Sequence, residues 1–153
     1  MTPIKIRVNI AGFAGAAVSV FCAYDPATDV LLVARVADEY EGGPRDGFLK
    51  VTNMASDSAF DDLFDNENTK EAIEAYFALE SMRLITLSDK VQRFNPAAKI
   101  ERDGMDESGP KYRVAPDIGC GQVAVLVASY CAKQQRAHAA VSDAFEDFRA
   151  ITI

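Results

Sequence analysis

The residues best able to do chemistry in this chain are three cysteines, one histidine and a crowd of acids, and their spacing decides what each can do. Cys22, Cys120 and Cys131 are an odd number with no CxxC or metal-ligand spacing. Cys120 is the best-placed nucleophile, because it stands just before a predicted helix start, where free amides and the helix dipole favour a thiolate. His138 would have to be its base. Eighteen residues along one helix separate the two by about 27 Å at a rise of 1.5 Å per residue, and Cys131 lies roughly 10 Å from His138 on the same count. No Cys–His pair forms across those distances, and one histidine cannot build a histidine zinc site. No catalytic residue, cofactor or metal is assigned.

Two other patterns point to binding. Gly119-Cys120-Gly121 at a helix start can cradle an anion, with Lys111 and Arg113 close by in sequence. The run lacks the Gly-Lys-Ser/Thr ending of a P-loop and the third glycine of a dinucleotide site. A tight turn that lets helix and sheet approach is the plainer reading. Asp57, Asp61, Asp62, Asp65 and Glu67 crowd eleven positions without the alternating order of a calcium loop. They read either as a solvated acidic face or as a docking face for a basic partner.

The elements that must position these residues follow from periodicity. Ile4, Ile6, Val8 and Ile10 alternate with Lys5, Arg7 and Asn9, the period of a strand buried on one face. Gly12 and Gly15 read as a kink or bulge. The β-branched runs Val18 to Tyr24 and Val30 to Val36 flank Asp25-Pro26-Ala27-Thr28-Asp29, a hairpin turn, because Asp bonds its own backbone and Pro presets φ. Glu39 to Gly47 reads as a surface loop, Phe48 to Val51 as a fourth strand and Ser58 to Phe64 as a short acidic helix. A long helix is expected from the cap Asn68-Thr69-Lys70-Glu71, with an apolar stripe through Ile73, Phe77, Leu84, Leu87, Val91 and Phe94, closed by Asn95-Pro96. Surplus apolar residues allow a bend near Ser81. Lys99 to Arg102 and Lys111 to Ala115 flank Asp103 to Pro110, a Gly/Asp/Ser/Pro segment suited to a second hairpin or an open loop. A second long helix is expected from Gly121 almost to the end. Strands that precede two long helices predict one α+β domain over residues 1–153, with an antiparallel sheet of about four to six strands packed by those helices.

Composition bounds the function. Sixteen basic against 23 acidic residues leave a net charge of −7, which removes the phosphate attraction that duplex DNA binders depend on. Lys5 and Arg7 before the apolar run Val8 to Tyr24 imitate a signal peptide, but Asn9 and Ser19 interrupt a run shorter than the ~20 residues that span a bilayer. Neither membrane insertion nor secretion is expected, and the cysteine usage fits the cytoplasm. The expectation is a small acidic, non-enzymatic protein-binding module acting through surface contacts with a basic partner. Inhibitors and anti-defence proteins of phages and mobile elements, anti-CRISPR-like proteins among them, and immunity proteins share this size and charge, an argument by analogy. The alternative is a small-ligand or nucleotide-binding enzyme, its site near Gly119 to Gly121 between sheet and helices.

Overall fold

The computed structural model describes residues 3–37, 49–52 and 66–151, with the backbone alone at 37, 50, 52, 66–68 and 138–151. Residues 57, 61, 62 and 65 of the acidic cluster, the expected loop at 39–47 and the expected short helix at 58–64 lie outside the described residues. Glu67 is described by its backbone.

The fold is α+β, a mixed sheet and a separate hairpin with helices packed against them. Strand β1 (Ile4–Ile10) pairs antiparallel with β2 (Val18–Asp25), and β2 with β3 (Val30–Ala37). The turn between β2 and β3 works as its residues predict. Asp25 Oδ1 accepts from the Ala27 N–H at 2.9 Å, Oδ2 accepts from the Thr28 hydroxyl at 3.0 Å, and Asp29 takes a left-handed φ of 63°. The wholly antiparallel sheet expected from sequence holds only for these three central strands. β4 (Leu49–Thr52) joins β1 in parallel and β5 (Ile85–Leu87) joins β3 in parallel, giving the order β4-β1-β2-β3-β5. Parallel pairing needs a crossover, and the segments between β3 and β4 and around the first helix are long enough to supply it.

Helix α1 (Asn66–Ser81) starts two residues earlier than its predicted cap and stops well short of Phe94. The stop is a backbone device. Arg83 adopts a left-handed φ of 57°, its N–H donates to Glu80 O at 3.0 Å, and the Leu84 N–H reaches back to Leu79 O at 2.8 Å. This is a Schellman closure with arginine where glycine is usual. The apolar residues whose spacing fits a continued helix instead serve β5 and two 3₁₀ turns, Gln92–Phe94 and Pro96–Lys99. Asn95 links them, its Oδ1 accepting from the Ala97 N–H at 3.1 Å and from the Tyr76 hydroxyl at 2.7 Å.

Strands β6 (Ile100–Asp106) and β7 (Gly109–Val114) form a second hairpin, so of the two readings of residues 103–110 the hairpin holds. Its tip is held by Asp106 Oδ1, which accepts from both the N–H (2.8 Å) and the hydroxyl (2.6 Å) of Ser108. Those bonds hold the Asp106 carboxyl below its ordinary range. The hairpin rests on α1 through Tyr112, whose ring meets Phe77 edge-on at 5.0 Å.

Helix α2 (Cys120–Ile151) runs for 32 residues, and every position from Val123 to Ala132 is buried, so that stretch is enclosed on all sides. It lies on the sheet face that carries Ile6, Val8, Ile10, Val20 and Cys22, with Ala72, Ile73, Tyr76 and Leu79 of α1 beside it. Asp29 ties the hairpin turn to the helix further along, accepting from the Tyr24 hydroxyl at 2.5 Å and pairing with Arg136 at 3.0 Å. Among the described residues no helix is long and apolar enough to cross a membrane. The apolar run that imitates a signal peptide folds into β1, a glycine turn and β2.

Arg83 pays a steric penalty that glycine avoids, partly offset by glycine's larger entropy loss on folding. Arg83→Gly is therefore expected to raise stability by about 0.5–1 kcal/mol, read from the midpoint of urea unfolding. A fall in stability would mean that the Arg83 side chain matters more than its backbone.

Candidate functional site

The start of α2 gathers the glycines singled out from sequence. A cleft of about 450 Å³ opens there, lined by Ala14, Gly15, Arg93, Phe94 and residues 119–122. Its backbone donors are largely committed. Gln122 reaches back as the third helical residue of a capping box, its Oε1 accepting from the Gly119 N–H at 2.9 Å. The Cys120 N–H donates to Ala14 O at 3.0 Å, and the Ala14 N–H donates to Ile118 O at 3.0 Å. Gly12 and Gly15, with φ of 87° and 83°, bend the chain into this strap, so the segment read as a bulge ties β1–β2 to the helix. Gly121 has a packing reason: a Cβ there would stand 2.1 Å from the Phe94 ring.

Arg113 does not join this cleft. It sits exposed on β7, donating to Glu101 Oε2 at 3.0 Å and lying 3.9 Å from Asp103. The cleft's own cation, Arg93, bonds Lys90 O at 3.2 Å and lies over the Phe94 ring at 4.7 Å. Cys120 is the first residue of the helix and is buried, as are Cys22 and Cys131. Burial pushes the Cys131 thiol up to about 12 and raises Cys22 further, with Cys131 itself adding to that rise. The unbroken α2 keeps Cys120 and His138 apart, as their sequence separation requires. Among the described residues no group of His, Cys, Asp and Glu is placed to hold a metal.

The sheet face turned away from α2 holds an arrangement that sequence reasoning missed. In β1 the alternation predicts Arg7 and Asn9 on a solvated side, yet Arg7 is 8% exposed and Asn9 fully buried. Register explains the grouping. Arg7 pairs with Phe21 of β2, Phe21 pairs with Arg35 of β3, and the β4 backbone places position 50 opposite Arg7. One row across the sheet therefore reads Lys50, Arg7, Phe21, Arg35. The Arg35 guanidinium lies 3.9 Å from the Phe21 ring centroid and that of Arg7 5.4 Å, so one ring serves two cations. In the next row Ser19 donates to Asn9 Oδ1. The Nε and Nη2 of Arg7 and the Nδ2 of Asn9 are buried with no acceptor. The one signal in the sequence was Ser19, a polar residue inside an apolar run at the register of Asn9.

The chain matches no protein-family model, no curated protein and no solved structure.

Two outcomes follow for this region. Thiol reagents at pH 8 should label the native protein far more slowly than the urea-unfolded chain at all three cysteines; rapid labelling of Cys120 alone would show it open and reactive. Gly121→Ala should cost about 1–3 kcal/mol through overpacking against Phe94, with part recovered in the double variant with Phe94→Leu. A Gly121→Ala protein as stable as the unaltered one would show that the ring moves freely.

Proposed function

We propose that this protein is a non-enzymatic binding module that works by surface contact with a basic protein partner, through an acidic region centred on Asp57, Asp61, Asp62, Asp65 and Glu67. The supporting observation is where the charge lies. Residues 38–48 and 53–65 hold eight acids against Arg45 alone, which accounts for the whole net charge of −7, while the rest of the chain is balanced. Both stretches are tethered to β4, an edge strand of the sheet, one before it and one after. A concentration of charge of one sign speeds encounter with an opposite surface and does so in a salt-dependent way. Inhibitors, anti-defence proteins and immunity proteins act by contacts of this kind. Three unpaired, buried thiols fit a reducing, cytoplasmic setting.

A second reading places a small ligand or nucleotide in the cleft at Gly119 to Gly121. Its volume of about 450 Å³ lies within the range of small-molecule sites, but the Gly119 and Cys120 amides already have acceptors. That reading predicts thermal stabilisation by a small molecule, and loss of it in Gly121→Ala.

The test of the main reading begins with a partner captured from lysate and identified by mass spectrometry, followed by binding kinetics. Replacing Asp61, Asp62 and Asp65 together with Asn keeps side-chain size and is expected to slow association about tenfold at low ionic strength and flatten its salt dependence. Association at the unaltered rate, with the same salt slope, would remove the acidic region from the interface.

A further inference from the structure

We infer that Arg7 and Asn9 form a binding site for an oxyanion on the sheet face opposite α2, a site independent of the acidic region. Nε and Nη2 are the side-on fork of the guanidinium, two parallel donors that match the two oxygens of a carboxylate, phosphate or sulfate. Both are buried without an acceptor, and so is Nδ2 of Asn9, two residues along on the same face of β1. Three buried donors and no acceptor select an acceptor-only ligand. Charge selects an anion. Among the described residues neither Arg7 nor Arg35 pairs with a carboxylate, and both lie over the Phe21 ring.

The donors are also fixed in place. Ser19 holds Asn9 by its Oδ1, which turns Nδ2 away from β2, and the Phe21 ring holds the guanidinium of Arg7. A site built this way takes a small oxyanion, free in solution or presented on a side chain. It does not suit a nucleobase, because Phe21 is 5% exposed and already engaged by two guanidinium groups. A strand with a buried, unpaired arginine is costly to fold unless a ligand repays it, so ligand binding and stability are linked at this position.

The experiment is thermal unfolding of the full chain at constant ionic strength, with sodium phosphate, sodium sulfate or sodium acetate replacing sodium chloride. A saturable rise in Tm of about 3 °C or more over chloride is expected with at least one oxyanion. A response to phosphate and sulfate alone marks a free-anion site, and a response to acetate marks a carboxylate site. Arg7→Lys keeps the charge but not the fork and is expected to lose most of the shift. Asn9→Asp keeps the shape, supplies an acceptor beside Arg7 and is expected to abolish the shift while remaining folded, so the test survives if an Arg7 variant fails to fold. No oxyanion effect beyond chloride, or the same effect in Asn9→Asp, would overturn the proposal.

Discussion

The burial of the first three turns of α2 is the constraint on which the other elements depend. From Val123 to Ala132 the helix has no solvent face, so the sheet, α1 and the 3₁₀ turns must each cover part of it. Burying a side chain such as Leu126 or Val127 is worth roughly 1.5–3 kcal/mol, and those side chains share one cluster with Ile6, Val20, Leu31 and Ile73. The start of that helix cannot fray, because its first amides are taken by Ala14 and Gln122. The same bonds that anchor the core leave the glycine-rich turn with little to offer a ligand.

Polarity is distributed in two ways. On the hairpin and at its base, charges meet in pairs near the solvent, Arg113 with Glu101 at 3.0 Å on the strands and Lys99 with Asp117 at 2.6 Å beside them; these contribute little to stability. On the far side of the sheet the opposite holds, with two arginines sharing one ring and no acid among the described residues paired with either. The imbalance of the whole chain, seven negative charges, belongs to the two stretches flanking β4. That concentration of charge next to β4 in the sequence is what the proposed contact with a basic partner rests on.

Much of the fold was legible in local chemistry. Alternation marked β1, Asp25 and Pro26 marked the turn, and sustained helical spacing marked α2. What was not legible has a common cause: spacing of three and four residues does not distinguish a continuing helix from separate buried contacts. Leu84, Leu87, Val91 and Phe94 fit a helical stripe, yet they follow a Schellman closure formed by an arginine, a residue that gives no warning of a left-handed turn. Parallel pairing at both edges depends on chain path, which no local pattern records. For the sites, Gly119 to Gly121 were found by composition, but their committed amides show only in three dimensions. Arg7 and Asn9 were read as solvated because alternation implies one wet face, and their burial depends on packing across the sheet.

The proposal that this chain acts through its acidic region is tested most directly by amide resonance mapping of the isotope-labelled protein, titrated with its captured partner at two salt concentrations. The account predicts that the shifted resonances cluster at residues 38–67, including β4, and weaken together as salt rises. Shifts clustered instead around Gly15, Phe94 and residues 119–122, insensitive to salt, would contradict it and favour a ligand site at the head of α2.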